Sequence, residues 1–185
     1  MKKILFVIDM QNDFIDGSLG SEEAKKIVPN VVSLINTFHK DNPNDMVFYT
    51  LDTHYENYLD TLEGKKLPIK HCIDNTTGWE LNKDVKTAIE NHSNILVKCF
   101  RKETFGSIDM VKEASLYLWD NIKSDDEIHI CGLVTNICVL HNFCLLRAKF
   151  PNLKIYVYEN CCAGTSKEAH EAALMMMRNG NAIIM

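Results

Sequence analysis

Residues 127–146 read EIHICGLVTNICVLHNFCLL, and this stretch joins an apolar strand to a largely apolar helix. Glu127 to Cys131 have the length and character of a buried strand, and Thr135 or Asn136 can cap the helix that follows. Cys138 then lies on the first helical turn. Unpaired backbone N–H groups and the helix dipole favour a thiolate there and can bind an oxyanion, so the stretch predicts a nucleophilic cysteine.

Further apolar runs along the chain alternate with segments that keep helical spacing. The predicted strands are Ile4 to Ile8, Met46 to Leu51, Ile95 to Val97, Ile128 to Cys131, Ile155 to Val157 and Ala182 to Ile184. This alternation predicts an α/β protein with three layers: a doubly wound, mostly parallel six-stranded sheet with helices on both faces, Rossmann-like in outline. The 185 residues suit a single domain spanning 1–185.

Composition narrows the classes of partner. The net charge of -5 leaves no basic face for nucleic acid, and no apolar run approaches the roughly 20 residues of a membrane span. The apolar run before Asp9 is too short for a signal peptide, and the 7 cysteines are an odd number without CxxC spacing. We therefore expect a cytoplasmic protein with reduced thiols that acts on a small molecule.

Candidate site residues follow from the sheet, because ligands bind beyond the carboxyl ends of parallel strands. No glycine-rich turn follows the first strand, which disfavours a dinucleotide and predicts no organic cofactor. The residues expected at the edge are Asp9, Asp52, His54, Lys98 or Lys102, and Cys138.

Each of these residues also has an ordinary structural interpretation. Asp9 can be a cap or turn residue, Lys102 a solvated surface lysine, and Cys138 a core residue. His141 lies one turn after Cys138, but a histidine on an apolar helix is more often a hydrogen-bonded core residue than a base. We interpret Asp13 as a solvated turn residue.

The segment from Asp52 to Gly78 has little apolar periodicity and is rich in polar residues. Asp52, His54 and His71 offer one carboxylate and two imidazoles, and Glu63 can add a fourth ligand. This donor set suits a divalent transition metal, namely zinc, iron or manganese, with open coordination positions. The alternative is a polar loop whose side chains meet only water.

Four motifs together resemble the isochorismatase-like cysteine hydrolase superfamily, which includes nicotinamidases. The resemblance covers nearly the whole chain and rests on the order and spacing of Ile8 to Phe14, Asp52 to His54 with Leu67-Pro68 and His71-Cys72, Lys102 to Ser107, and Gly132 to Val139.

The resemblance implies a triad of Asp9, Lys102 and Cys138. It also implies a cis peptide between Leu133 and Val134, with an oxyanion hole formed by the backbone N–H groups of Val134 and Cys138. A cysteine hydrolase of this kind attacks a carbonyl carbon and passes through a thioester.

Nicotinamidases carry an Asp-x-His followed by a further His, as Asp52, His54 and His71 do here. This resemblance implies a nicotinamidase-type amidohydrolase, which converts nicotinamide or a similar primary carboxamide to the acid and ammonia. Glu63 is the better fourth ligand because no histidine occurs between His54 and His71. Phe14 and Gln11 are the predicted substrate contacts. The resemblance also suggests a homo-oligomer.

Two alternatives remain at this point. One is an isochorismatase-like hydrolase that acts on another amide or on a vinyl ether. The other is a non-catalytic thiol redox sensor on the same fold, in which Cys161 and Cys162, expected in a strand-to-helix connection, respond instead of Cys138.

Overall fold

The computed structural model describes residues 1–38, 45–91, 96–119 and 125–185. The strands are β1 Lys3–Ile8, β2 Met46–Asp52, β3 Leu96–Lys102, β4 Glu127–Leu133, β5 Lys154–Ala163 and β6 Ala182–Ile184. The helices are α1 Asn12–Ile15, α2 Glu22–Phe38, α3 Leu62–Lys66, α4 Lys83–Glu90, α5 Ile108–Trp119, α6 Leu140–Lys149 and α7 Lys167–Asn179. A 3-10 turn at Tyr58–Asp60 precedes α3, and a π-helical turn at Thr135–Val139 precedes α6.

The strands form one sheet in the order β3-β2-β1-β4-β5-β6, and every pairing is parallel. The chain therefore winds outward in both directions from β1 and β4, which confirms the predicted doubly wound α/β fold. The order reverses between these two strands, and ligands bind in the crevice beyond such a switch point. The residues that follow β1 and β4 are thus placed at the expected site.

Helices cover both faces of the sheet and bury apolar side chains against it. Val31 of α2 and Val85 of α4 belong to the core on one face, and Met110 of α5, Phe143 of α6 and Met177 of α7 belong to the core on the other. Among the described residues, every helix is too short or too polar to cross a bilayer.

Two strands, β3 and β5, continue at least five residues beyond their predicted ends. β3 continues past Val97 to Lys102, while the predicted first residue, Ile95, lies outside the described residues. It is an edge strand with partly exposed side chains, so it lacks the continuous apolar run of a central strand. β5 continues to Ala163, which places Cys161 and Cys162 in the strand itself and not in a connection.

The prediction that Thr135 or Asn136 caps the helix after β4 is wrong. The carbonyl oxygen of Val134 accepts from the N–H groups of Ile137 at 3.1 Å and Val139 at 3.2 Å, and this closes the π-helical turn. Thr135 hydrogen-bonds instead with His170 of α7, and Asn136 accepts from the Thr165 N–H. Both side chains therefore attach the turn to the start of α7.

Candidate active site

Asp9 directly follows β1 and is fully buried with a left-handed backbone, at φ 47°. Its carboxylate Oδ1 accepts a hydrogen bond from the Thr50 hydroxyl at 2.6 Å, and its N–H donates to the same hydroxyl oxygen at 3.1 Å. The neighbouring strand β2 therefore fixes both the backbone and the side chain of Asp9.

Lys102 is the last residue of β3 and is only 5% exposed, so it is not a solvated surface lysine. Its Nζ lies 2.7 Å from Asp9 Oδ2 and 3.1 Å from Asp52 Oδ1. Burial alone lowers the pKa of this ammonium, but the two carboxylates outweigh it and the pKa stands well above its usual value. The alternative, Lys98, pairs with Glu113 on α5.

Cys138 lies in the π-helical turn after β4 and is 4% exposed. Its Sγ is 3.6 Å from Lys102 Nζ, so the ammonium contacts both the thiol and the Asp9 carboxylate. The structure thus brings together the three residues predicted as a triad, from the ends of β1, β3 and β4. The peptide between Leu133 and Val134 is cis.

The site raises the pKa of the Cys138 thiol, whereas the start of a helix predicts a lowered pKa. Burial raises its pKa well above the usual value, and the Asp9 charge adds to this effect while Lys102 opposes it. Burial also raises the pKa of Asp9, against the pull of Lys102. Desolvation therefore outweighs the field of the turn in setting the pKa of this thiol.

A buried side-chain amide links the π-helical turn that contains Cys138 to the segment that follows Lys102. Asn142 of α6 donates to the Cys138 carbonyl oxygen at 2.8 Å, and its Oδ1 accepts from the Ser107 N–H at 2.9 Å. The sequence interpretation missed this residue. A polar side chain one turn after Cys138, among apolar neighbours, is the signal that points to it.

Asp52, His54 and His71 form a buried group whose ligand atoms all lie within 4.8 Å of one another. His54 Nε2 is 3.0 Å and His71 Nε2 is 3.5 Å from Asp52 Oδ2. Glu63 is a more distant member, because its Oε1 lies 3.7 Å from each histidine nitrogen. Burial raises the Asp52 pKa, yet the charge of Lys102 and the histidine hydrogen bonds outweigh it and keep the carboxylate ionised.

This donor set fits a divalent transition metal. Two imidazole nitrogens and a carboxylate are typical zinc, iron or manganese ligands, and all three residues are buried. His71 Nδ1 hydrogen-bonds the Ile69 carbonyl oxygen at 2.9 Å, which directs Nε2 toward the other ligands.

Local backbone pairing brings His71 to the end of β2. The His54 N–H donates to the Cys72 carbonyl oxygen at 2.9 Å. The Cys72 N–H donates to Asp13 Oδ2 at 2.7 Å, so Asp13 is a structural anchor of this loop and not a solvated turn residue.

Gln11 does not have the substrate contact that the sequence predicts. Its side-chain amide donates to the backbone oxygens of Asp52 at 2.9 Å and Trp79 at 2.8 Å, and its Oε1 accepts from the Asp52 N–H at 2.8 Å. The side chain is fully buried and its polar atoms are committed to the backbone. Gln11 therefore holds the Asp52 backbone in place.

A cavity of about 260 Å³ borders both the thiol and most of the candidate metal ligands. Cys138, Asp52, Glu63 and His71 line it, together with Phe14, whose ring centroid lies 5.5 Å from that of His71. The size and mixed lining suit a small ring that carries one polar group.

His141 and the cysteine pair Cys161 and Cys162, which the sequence analysis also considered, lie outside this cavity. His141 is exposed and its Nδ1 hydrogen-bonds the Ile137 carbonyl oxygen at 2.7 Å, so the predicted core position is wrong. Cys161 and Cys162 are buried in β5, and burial raises the pKa of each thiol, to about 11 and about 12.

These features define a doubly wound α/β protein with a buried thiol, carboxylate and ammonium at the switch point of its sheet, beside a candidate metal site. Comparison with known proteins agrees with this class. The isochorismatase domain model matches residues 3–185. The chain therefore belongs to the isochorismatase family and is an isochorismatase-family hydrolase.

Individual relatives cover the same length. A protein described as uncharacterized isochorismatase family protein PncA, from Bacillus subtilis (strain 168), is 28% identical over 97% of this chain and 96% of its own length. The crystal structure of nicotinamidase/pyrazinamidase PncA from Bacillus subtilis has a TM-score of 0.81 at 30% identity and covers 100% of this chain and 99% of that one. Pyrazinamidase of Pyrococcus horikoshii, crystallised in complex with zinc, has a TM-score of 0.74 at 26% identity, with 99% and 98% covered.

Proposed function

We propose that the protein is a nicotinamidase-type amidohydrolase, which converts nicotinamide or a similar primary carboxamide to the acid and ammonia. The observation that carries this proposal is the position of Lys102 Nζ, 2.7 Å from Asp9 Oδ2 and 3.6 Å from the Sγ of Cys138, which lines a small cavity. Asp52, Glu63 and His71 line the same cavity. The relatives named nicotinamidase support the same activity.

The first half of the reaction forms a thioester on Cys138. Asp9 takes the thiol proton as the sulfur attacks the carboxamide carbon, and the raised pKa of Asp9 makes it a stronger base than an ordinary carboxylate. The carbon–nitrogen bond then breaks, and Asp9 returns the proton to the departing nitrogen, which leaves as ammonia. Lys102 stabilises the negative charge on sulfur and on Asp9 throughout.

The tetrahedral intermediate carries a negative oxygen that needs hydrogen-bond donors. In this proposal the backbone N–H groups of Val134 and Cys138 supply them from the turn after β4. Loss of one such donor typically costs about 100- to 1000-fold in rate, so the backbone of this turn matters as much as a side chain.

The second half hydrolyses the thioester. Asp9 accepts a proton from a water molecule as the water oxygen attacks the carbonyl carbon. The carbon–sulfur bond breaks, the proton on Asp9 passes to Cys138, and the carboxylic acid is released. Both halves use the same base, so Asp9 is ionised at the start of each.

Asp52, His54 and His71 would hold a zinc, iron or manganese ion, with Glu63 as a fourth ligand. When bound, such an ion is a Lewis acid that can contact the ring nitrogen of nicotinamide and orient the ring. Phe14 provides an aromatic wall against that ring. Asp52 also contacts Lys102 at 3.1 Å, which links the ligand group to the triad.

The wider predictions fit this proposal. The match over residues 3–185 supports one hydrolase domain spanning 1–185. A cytoplasmic location, a homo-oligomer and the absence of an organic cofactor or a nucleic-acid partner stay predictions from the sequence.

The test is an ammonia-release assay on nicotinamide with metal-depleted and zinc-, iron- or manganese-restored protein. We expect turnover that depends on the restored metal and that Asp9→Asn, Lys102→Ala and Cys138→Ala each abolish. Cys161→Ala is the matched control and retains activity. Protein that is inert to nicotinamide but hydrolyses another amide or a vinyl ether would point to the other family activity. An inert protein whose only thiol response involves Cys161 and Cys162 would support the sensor.

A further inference from the structure

A second cavity, of about 560 Å³, lies directly outside the one that contains Cys138. The two cavities share four lining residues, which form a common wall: Glu63, Leu67, Phe105 and Ile137. Cys138 lines only the inner cavity, whereas His54 lines only the outer one. The outer cavity therefore adjoins the inner one through these four residues and does not itself contact the thiol.

Most of the surface that lines the outer cavity is apolar, and its apolar and aromatic lining residues are Tyr55, Tyr58, Leu62, Leu67, Phe105 and Ile137. Tyr55 and Leu62, which line it, are 47% and 76% exposed. Three charged residues also line it, Glu63, Lys66 and Glu103, so its lining carries more negative than positive charge and disfavours an anionic group. Exposed apolar surface around a cavity commonly marks a ligand-binding groove.

We propose that this outer cavity binds an apolar or aromatic substituent of the substrate, so that the protein accepts carboxamides larger than nicotinamide. The inference rests on the proposed function, which places the carboxamide at Cys138. A ring seated in the inner cavity then presents its far edge to the common wall. The substituent extends from that edge, past Phe105 and Leu62, into the outer cavity.

The substrate class follows from the lining. It is a heteroaromatic primary carboxamide with an uncharged apolar group on the ring edge remote from the carboxamide. An anionic group in the same place loses hydration and faces two carboxylates, Glu63 and Glu103, against one ammonium, Lys66, so it is disfavoured. An additional ring gains contact with the aromatic side chains Tyr55 and Phe105.

The test compares nicotinamide with nicotinamides that carry a phenyl group on each free ring carbon in turn, and with the same series carrying a carboxylate. We expect at least one phenyl derivative to have a kcat/KM equal to or above that of nicotinamide, and the carboxylate series to be poor. Leu62→Glu and Leu62→Lys should each lower the kcat/KM of that phenyl derivative by roughly tenfold or more and leave nicotinamide unchanged.

Leu59→Glu is the matched control, because Leu59 is also exposed, at 44%, on the same surface but does not line the cavity. It should change neither substrate. Equal losses from Leu59→Glu and Leu62→Glu, or rejection of every phenyl derivative by protein that hydrolyses nicotinamide, would overturn the outer site and leave the proposed function standing.

Calorimetric binding of the same amides separates the two proposals when turnover is absent. Leu62-dependent binding of a phenyl derivative without hydrolysis of any amide would support the outer site and overturn the proposed function. Binding that is the same in wild type and both Leu62 variants would overturn the outer site.

Discussion

One hydroxyl, that of Thr50, hydrogen-bonds both the N–H and the carboxylate of Asp9, at 3.1 and 2.6 Å. Oδ1 of the carboxylate is thereby fixed, and Oδ2 faces Lys102 at 2.7 Å. One carboxylate oxygen of Asp9, the proposed base, is thus held in place by Thr50, and the other is left to accept the proton. Thr50 is a positioning residue that acts through Asp9.

Thr50→Val removes this hydroxyl at nearly constant volume. We expect kcat/KM for nicotinamide to fall roughly ten- to hundredfold, the equivalent of one hydrogen bond to a charged group. The Thr50 bond lowers the pKa of Asp9, so its loss raises that pKa. Because Asp9 must be ionised to act as a base, the acidic limb of the pH–rate profile should move to higher pH.

The measurement is kcat/KM against pH for the variant and wild type. Thr37→Val is the control, since Thr37 is exposed and its hydroxyl donates to backbone carbonyl oxygens of its own helix, α2. A Thr50→Val enzyme with the rate and profile of wild type would show that the hydroxyl does not position Asp9.

Metal binding should stabilise the folded chain as well as support turnover. A ligand that binds only the native state raises the free energy of unfolding, so zinc should raise Tm and a chelator should lower it. His71→Asn should abolish both the bound metal and the shift in Tm. Glu63→Gln should weaken them less, because Glu63 is the more distant member of the group.

Metal content and thermal unfolding measured on the same samples check this prediction. His141→Asn is the control, since His141 is an exposed histidine outside the cavity. Full metal content in His71→Asn, or equal losses in the His71 and His141 variants, would contradict the assignment of His71 as a ligand.

The sequence predicts which residues lie at the carboxyl edge of the sheet wherever a local apolar run determines the end of a strand. Asp9 and Cys138 follow central strands that are buried on both faces, so the ends of these strands are clear in the sequence. Lys102 ends an edge strand that contains charged residues, and the apolar run stops five residues earlier, at Val97. Its position could be predicted from the family motif but not from periodicity.

Other details depend on contacts between distant segments. No local pattern distinguishes Gln11, which holds the Asp52 backbone, from a glutamine that faces a ligand. The raised pKa of Cys138 likewise depends on burial in the folded chain, whereas the sequence shows only the favourable start of a helix. In both cases tertiary packing decides the chemistry.

His129 should make stability depend on pH away from the active site. Its Nδ1 hydrogen-bonds the Tyr158 hydroxyl, Nε2 lies 3.3 Å from Glu127, and its ring packs against Phe38. Burial lowers its pKa to about 4, against the opposing effect of Glu127. The unfolded chain therefore binds more protons than the folded one between about pH 6.5 and pH 4, and stability falls as the pH drops through this window.

The expected loss across the window is up to about 3 kcal/mol in the free energy of unfolding. Urea unfolding of wild type and His129→Gln at several pH values measures it, and the variant should lose this part of the pH dependence whatever its absolute stability. His141→Gln, at an exposed position, should retain it. A variant whose stability falls with pH as steeply as wild type would contradict a neutral buried His129.

The roles of Asp9 as base and as a charge can be separated by the alkylation of Cys138. The Asp9 carboxylate raises the pKa of the thiol, whereas Lys102 lowers it. In Asp9→Asn the negative charge is gone and Lys102 remains, so the thiolate fraction of Cys138 should increase and iodoacetamide should modify it faster. Turnover should nevertheless be lost, because no group accepts the thiol proton and returns it to the leaving nitrogen. Lys102→Met should have the opposite effect on alkylation, with turnover lost as well.

Peptide mass spectrometry measures modification at Cys138, and the exposed Cys99 reports any general change in accessibility. If Asp9→Asn slowed alkylation of Cys138 while Cys99 reacted as in wild type, Asp9 would be needed to form the thiolate even in the resting protein, and the opposing charge effects inferred from the site would be wrong.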